Sequence, residues 1–132
     1  MILADSSAWI EFLRATGSPE HLRVRRAIDD GELLATSGLV VLEVLAGARN
    51  EAHEQQLQRL LEPCELLPLE EPSDEEAAAA IYRACRRQGE TIRKLPDCLI
   101  ASVAIRAGAE LLHRDADFET IARHAPLTLA TV

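Results

Sequence analysis

Short apolar runs alternate along this chain with longer stretches of helical periodicity, and this alternation restricts the possible folds more than any other feature. Each run is long enough for one strand, and the helical stretches between them are long enough to cross from one strand to the next. The pattern predicts an α/β fold with three layers, α/β/α, around a mostly parallel central sheet covered on both faces. The predicted strands are residues 1–4, Leu33 to Thr36, Cys64 to Leu69, Ala109 to His113 and Leu127 to Ala130.

Capping signals mark where several of the intervening helices begin and end. Ser37 stands before an apolar segment and is a suitable N-cap, whereas residues 72–76 have the pattern of a capping box. The helix that begins there is expected to bury the face on which apolar residues recur at helical spacing. That expected face consists of Ala77, Ala80, Ile81, Ala84 and Cys85, and the expected helix stops are Gly31, Gly89 and Gly108.

The length and composition are typical of a globular chain. With 132 residues, of which 48% are hydrophobic and 27% charged, the chain is predicted to form a single domain over residues 1–132. No apolar run approaches the about 20 residues that a membrane span needs. The three cysteines are unevenly spaced and indicate neither a disulfide framework nor a zinc site. We therefore expect a cytoplasmic protein without membrane association.

Charge is distributed unevenly along the chain. The net charge of -8 argues against a protein that holds nucleic acid by bulk attraction. Five of the fourteen basic residues nevertheless fall between positions 83 and 94, and such a cluster is either a solvated helix face or a surface that contacts phosphates. Residues 65–76 hold six acids, for which a solvated helix start is an adequate explanation. The basic cluster is Arg83, Arg86, Arg87, Arg93 and Lys94.

Acids from separated segments are predicted to meet at one edge of the sheet. Asp5 ends the first strand, and Asp115 and Asp117 follow the strand that ends near residue 113. Because a crossover helix runs antiparallel to its strands, its first turn lies at the same edge, and Asp97 occupies such a first turn. Ligands of open parallel sheets bind outside the carboxyl ends of the strands, so this edge is the expected site.

Glu43 is an acid within an apolar helix. Its neighbours at three and four residues are Leu39, Val40, Ala46 and Gly47, so it is expected to lie on an apolar stripe. Burying an unpaired carboxylate there would be strongly unfavourable, and a counter-ion is therefore required.

A divalent metal ion would supply that counter-ion. Crowded carboxylates repel one another, and nearby protein cations such as Arg114 are too few to compensate. Ligands that are all oxygen favour Mg²⁺ or Mn²⁺, which can generate a hydroxide nucleophile and neutralise charge that develops on a phosphodiester. The predicted metal ligands are Asp5, Glu43, Asp97 and Asp115, with Asp117 as a further candidate.

Each acid also has an ordinary structural explanation. Asp5 is able to cap the first helix, Asp97 to complement a helix dipole, and Glu43 to pair with a core arginine. Asp115 and Asp117 are able to cap a short helix over residues 118–123. Their common edge favours a site over these separate explanations. The histidines lack ligand spacing and are expected to be structural: His21, His53, His113 and His124.

At these acids the sequence resembles the PIN-domain ribonucleases, and most closely the VapC toxins of bacterial toxin-antitoxin pairs. The resemblance extends over the whole chain. It depends on the order and spacing of several pieces, since each piece alone is weak. The pieces are Asp5 to Ser7 after the first strand, Glu43 within LVVLEVLAGA, Asp97 within LPDCLIASVAIRAGAELL, and Asp115 and Asp117 within DADF.

The resemblance implies an endoribonuclease that hydrolyses RNA phosphodiester bonds with Mg²⁺ or Mn²⁺. It implies the catalytic and metal-binding roles of Asp5, Glu43, Asp97 and Asp115, a homodimer, and a cognate VapB-type antitoxin. The hydroxyl of Ser6 or Ser7 would orient Asp5 or a metal-bound water. His113 departs from the Thr or Ser that relatives commonly carry, although an imidazole is able to hydrogen-bond in its place. The residues expected to bind RNA are Arg86, Arg87, Arg93 and Lys94.

Two other functions stay open at this point. Phosphatases of the haloacid dehalogenase type also place an Asp after the first strand, but they need a second Asp two residues on, where this chain has Ser7. A degenerate PIN domain would act only as a binding module. The presence of all four expected acids argues against that second alternative.

Overall fold

A four-stranded parallel sheet forms the centre of the molecule. The computed structural model describes residues 1–132, and the strand order is β3-β2-β1-β4. The strands are β1 (Ile2–Ala4), β2 (Leu34–Thr36), β3 (Glu65–Leu66) and β4 (Glu110–Leu112). The helices are α1 (Ser6–Leu13), α2 (Pro19–Asp29), α3 (Gly38–Ala46), α4 (Glu51–Leu61), α5 (Ser73–Arg87), α6 (Leu95–Ala107) and α7 (Ala116–His124). The predicted α/β fold with a parallel sheet is confirmed.

The central position of β1 aligns the carboxyl ends of the strands. All three residues of β1 are buried, and Leu3 lies opposite Ala35 on one side and Leu111 on the other. Beyond the strand, the Asp5 backbone amide donates a hydrogen bond to the Leu112 carbonyl at 2.9 Å. The register therefore brings the first residue after β1 against the turn that follows β4.

One apolar core holds the helices to the sheet. It contains 29 buried residues, among which Trp9 and Phe118 are the largest that are fully enclosed. Burying one such aromatic or aliphatic side chain contributes about 1.5–3 kcal/mol relative to leaving it exposed. The longest helix has 15 residues, and no helix has the length and apolar character that crossing a membrane would require.

Two predicted strands are shorter in the structure. The third strand is reduced to two exposed residues because Leu67 donates the last ladder hydrogen bond, to Thr36, and Pro68 has no amide with which to continue. The last predicted strand is a single parallel bridge between Leu111 and Leu129. The Leu111 amide donates to the Thr128 carbonyl at 2.9 Å, and the Leu111 carbonyl accepts the Ala130 amide at 2.8 Å.

The expected capping box at the start of α5 is wrong. Pro72 is the N-cap and makes no side-chain cap, and the Ser73 hydroxyl donates instead to the Glu70 carbonyl at 3.2 Å. The Asp74 carboxylate accepts the Glu70 amide at 2.8 Å and pairs with Arg106 of α6 at 2.9 Å. Asp74 is therefore buried in an ion pair between helices, and it does not belong to a solvated acidic face.

This ion pair sets the rotational phase of α5. With Asp74 turned inward, the buried positions of α5 are Asp74, Ala78, Ile81 and Cys85. Ala77 and Ala80, which were expected on the buried face, are exposed. Other local predictions are confirmed: Ser37 caps α3 by accepting the Val40 amide, and Gly108 ends α6 with a left-handed φ of 67°.

Candidate active site

Five acidic side chains gather at the carboxyl edge of the sheet. Asp97, Asp115 and Asp117 each offer a carboxylate oxygen, and these oxygens all lie within 4.8 Å of one another. Asp97 is only 4% exposed and Asp5 only 3%, while the side chains of Asp115 and Asp117 are each 7% exposed. Sequence reasoning gave Asp117 a less certain place, whereas the structure includes it in the tightest group of three.

Ser7, in the first turn of α1, holds the Asp5 carboxylate in place. One carboxylate oxygen, Oδ2, accepts hydrogen bonds from the Ser7 amide at 3.0 Å and from the Ser7 hydroxyl at 2.5 Å. The same hydroxyl accepts the Arg114 amide at 2.9 Å, so it also ties α1 to the turn after β4. The other oxygen of Asp5, Oδ1, is buried without a partner. Asp5 is thus the helix cap that its position allowed, with one oxygen left free.

Asp97 lies in the first turn of α6, where its burial disfavours a charge. Its Oδ2 is buried and has no hydrogen-bond partner. Burial, together with the nearby charges of Asp5 and Asp115, raises the pKa of Asp97 to about 8, although Lys94 partly opposes the shift. In the absence of another cation, this carboxyl group therefore holds a proton near neutral pH.

Asp115 is the N-cap of α7 and is stabilised as a carboxylate. Its Oδ1 accepts the Asp117 amide at 3.0 Å, and its Oδ2 accepts the Lys94 ammonium at 2.9 Å. Burial alone would raise the pKa of Asp115, but the hydrogen bonds from Lys94 and Asp117 and the charge of Arg93 outweigh it and lower the pKa. Two neighbouring acids of one site, Asp97 and Asp115, consequently have pKa values displaced in opposite directions.

The cations of the site come from the loop before α6. The Lys94 amide donates to Asp117 at 3.1 Å, and the Arg93 guanidinium lies 3.7 Å from Asp117 and 4.0 Å from Asp115. Arg114, the cation that sequence reasoning considered, pairs instead with Glu11 and Glu20 at 3.3 and 2.8 Å. Arg93 and Lys94, which the sequence predicts to bind RNA, thus also pair with these two acids.

The predicted environment of Glu43 is wrong in one respect. α3 buries Val40 and Val44, whereas Glu43 lies at the border of that buried face and is exposed, so it is not enclosed by an apolar stripe. Partial desolvation and the charge of Asp5 nevertheless raise the pKa of Glu43, while the nearby Ser6 hydroxyl and the charge of Lys94 oppose the rise. Glu43 therefore contributes to the electrostatics of the site from its solvent side.

The donor set fits a hard divalent cation. Two buried carboxylate oxygens, Asp5 Oδ1 and Asp97 Oδ2, have no protein donor, and unsatisfied buried oxygens of this kind are costly. All the available ligands are oxygen atoms, which suits Mg²⁺ or Mn²⁺ better than a transition metal that prefers nitrogen or sulfur. Five carboxyl groups with two nearby basic side chains leave an excess of negative charge that a metal would neutralise.

The rest of the basic cluster lies on the last turns of α5. Arg83, Arg86 and Arg87 are exposed, and none of them pairs with an acid. The Arg86 guanidinium lies 5.7 Å from the centre of the Tyr82 ring. These side chains are available to an external anion.

Comparison with known proteins agrees with this arrangement. A family model described as PIN domain matches residues 2–124. The chain belongs to the PIN-domain family. Ribonuclease VapC11 of Mycobacterium tuberculosis is 46% identical over 132 residues, which cover 99% of this chain and 98% of the relative. Ribonuclease VapC51 of the same organism is 35% identical over 102 residues, covering 75% and 74%.

Solved structures with the same fold include toxin-antitoxin proteins. VapBC2 from Rickettsia felis, bound to a DNA fragment from its promoter, matches with a TM-score of 0.74 at 18% identity, covering 98% of both chains. VapBC-1 from nontypeable Haemophilus influenzae matches with a TM-score of 0.74 at 20% identity, covering 98% and 97%. The PIN-domain resemblance and the three-layer fold are confirmed, and the haloacid dehalogenase alternative has no support.

The raised pKa of Asp97 predicts how the metal-free protein responds to pH. Unfolded, Asp97 loses its proton near its ordinary value of 3.8, whereas the folded protein keeps the proton up to about 8. Between these values the folded state binds more protons, so stability should fall as the pH rises from about 5 to about 8. Asp97→Asn should flatten this decline, and thermal denaturation in EDTA measures it. The exposed Asp30→Asn is the control, and parallel curves for the parent and Asp97→Asn would contradict the assignment.

Proposed function

We propose that this PIN-domain protein is a metal-dependent endoribonuclease and the toxin of a toxin-antitoxin pair. The observation that carries the proposal is the pair of buried, unpartnered carboxylate oxygens of Asp5 and Asp97 beside the mutually close acids Asp115 and Asp117. The two mycobacterial relatives are named ribonucleases, which supports RNA as the substrate. The retained acids argue against a degenerate binding module.

The metal would be held by the acids of the carboxyl edge, and we propose Mg²⁺ or Mn²⁺ as the ion. Such an ion supplies Lewis acidity toward the phosphodiester and lowers the pKa of bound water. The proposed catalytic residues and ligands are Asp5, Glu43, Asp97 and Asp115, with Asp117 as a further ligand or as an anchor for the loop before α6.

The remaining side chains of the site have separable roles. Ser7 orients Asp5 through its amide and hydroxyl, which leaves Asp5 Oδ1 free to bind. Glu43 faces solvent and has a raised pKa, so its carboxylate is suited to accept a proton from an entering water. The hydroxyl of Ser6 lowers the pKa of Glu43 from nearby and would help to fix the orientation of that carboxylate.

RNA is proposed to approach along the basic cluster. Arg93 and Lys94 stand beside Asp115 and Asp117, so they are placed to contact the phosphates that flank the cleaved bond. Arg86 and Arg87 would extend the contact along α5. Positive groups in this role position the backbone and carry little sequence information, so base preference must arise elsewhere.

We further propose a VapB-type antitoxin as a protein partner. Solved structures of the same fold include VapBC proteins and a toxin-antitoxin complex from Klebsiella pneumoniae, which supports this partner.

A homodimer is also proposed, on the basis of an exposed apolar face. This face contains a groove of about 390 Å³ and a second groove that continues it, and Leu39 and Leu99 line both. Leu42 is 63% exposed, and Leu66 and Leu95 are each 58% exposed. A second copy would cover this face.

Removal of the proposed ligands tests the enzyme. Asp5→Asn and Asp97→Asn should abolish RNA cleavage while the fold stays intact, because packing does not depend on their charge. Melting temperatures without metal should be equal to or above that of the parent, since carboxylate repulsion is relieved. Asp30→Asn is the matched control. Cleavage at the parent rate by either site variant would remove that residue from the mechanism.

The metal requirement has its own test. Millimolar Mn²⁺ or Mg²⁺ should raise the melting temperature of the parent, since a ligand that binds only the folded state stabilises it. The increase should be smaller in Asp97→Asn, and EDTA should stop cleavage. An unchanged melting curve together with full activity in EDTA would exclude the metal.

The RNA path is tested by charge reversal on α5. Arg86→Glu combined with Arg87→Glu should weaken RNA binding in EDTA and flatten its salt dependence, by about 0.7 in log-log slope for each phosphate that the variant no longer neutralises. The matched control is Arg25→Glu combined with Arg26→Glu, which makes the same charge change on α2. Equal affinity and slope in the α5 variant and the parent would mean that RNA reaches the site by another route.

The homodimer is tested at the apolar face. Leu66→Glu combined with Leu69→Glu should convert a dimeric parent into a monomer in analytical ultracentrifugation, because two carboxylates would be desolvated in the interface. Leu22→Glu, at an exposed leucine of α2, should leave the dimer unchanged. A monomeric parent, or a variant that stays dimeric, would contradict the proposal.

A further inference from the structure

Two consecutive backbone amides fix the turn that joins β4 to α7, and a side chain accepts each of them. The Arg114 amide donates to the Ser7 hydroxyl at 2.9 Å. The Asp115 amide donates to His113 Nδ1 at 3.0 Å. The contact with Ser7 ties the turn to Asp5, because Ser7 also holds the Asp5 carboxylate. The contact with His113 lies within the turn and fixes the peptide of Asp115.

The His113 ring is itself held in place on several sides. Because Nδ1 accepts a hydrogen bond, the proton of the neutral ring belongs on Nε2, which lies 3.3 Å from a carboxylate oxygen of Glu119. The ring centre lies 5.3 Å from that of Phe118, which is completely buried. Only 9% of the His113 side chain is exposed. The acceptor is therefore presented to the Asp115 amide in one orientation.

We infer that His113 is a positioning residue for the metal site, whose Nδ1 orients the Asp115 peptide and thereby the Asp115 carboxylate. The inference depends on the proposed role of Asp115 as a metal ligand. Without this acceptor, the amide would have to find water or another carbonyl, and the turn would relax. The Asp115 carboxylate, which Asp117 and Lys94 also hold, would then lose one of its fixed points.

Two substitutions distinguish the hydrogen-bond acceptor of His113 from the packing of its ring. His113→Asn keeps an oxygen at the place of Nδ1 but removes the packing against Phe118. His113→Phe keeps an aromatic ring against Phe118 but removes the acceptor. If His113 served only to pack the core, the Asn variant would be the more damaged of the two. A positioning role through Nδ1 gives the opposite order.

The first measurement is Mn²⁺ affinity, by calorimetry or electron paramagnetic resonance. His113→Phe should bind Mn²⁺ about tenfold or more weakly than the parent, as is typical when a ligand is deprived of its supporting hydrogen bond, while His113→Asn should stay within about threefold. His124→Phe in α7 is the control for the substitution and should bind like the parent. Parent-like affinity in His113→Phe would overturn the inference, and so would equally weakened binding in the Phe and Asn variants.

The second measurement needs no metal. Hydrogen exchange of the Asp115 amide in metal-free protein should be slow in the parent and in His113→Asn, and faster in His113→Phe. Equal protection in all three would overturn the inference even if the metal results agreed with it.

If His113→Phe does not fold, His113→Gln replaces it, since the side-chain amide of Gln extends past the position of His113 Nδ1. A parent that binds no Mn²⁺ but shows the expected exchange pattern would refute the proposed metal site and leave the hydrogen bond established.

Discussion

Repulsion among carboxylates at the carboxyl edge of the sheet is the constraint on which the rest of this structure depends. The central place of β1 forces the constraint, because its register with β4 sets Asp5 beside the turn that carries Asp115 and Asp117. The protein offsets it with a hydroxyl, backbone amides and the Lys94 ammonium, and these donors leave two oxygens unsatisfied. The two free oxygens belong to this group of acids and fit the proposed cation site, since buried acceptors are usually satisfied.

Helix caps and proposed metal ligands are the same side chains at two positions of this edge. Asp5 caps α1 with one oxygen and leaves the other free, so the cap and the proposed ligand role would not compete. Asp115 caps α7 while it pairs with Lys94. A helix cap fixes the direction of a carboxylate more firmly than a free side chain would allow, which is an advantage for a metal ligand. The alternatives of cap and ligand, which the sequence alone left open, are therefore compatible, and in the proposed metal site the same residues would serve both uses.

Local patterns in the sequence were sufficient for the sheet, several helix caps and the edge at which the acids meet. They failed where a distant residue decided the outcome. The phase of α5 follows from Asp74 pairing with Arg106, thirty-two positions away, and periodicity within α5 cannot reveal that partner. The contact of Lys94 with Asp115 is of the same kind. Glu43 is more exposed than expected because, of its four neighbours at three and four positions, only Val40 is buried, and Ala46 and Gly47 are exposed.

The pairing of Asp74 with Arg106 also affects how α5 and α6 lie relative to each other. Asp74 lies at the start of α5 and Arg106 at the end of α6, and the Ser102 hydroxyl joins the same helices by donating to the Asp74 carbonyl at 3.1 Å. These contacts hold the start of α5 against the last turns of α6, so the end of α5 and the start of α6 lie at the same end of an antiparallel pair. In the proposed enzyme, a phosphate bound by the α5 arginines would therefore lie at the same end of the helix pair as the bond cleaved beside Asp97. The position of the cut relative to that phosphate would depend on the spacing of these two helix ends more than on the bases between them.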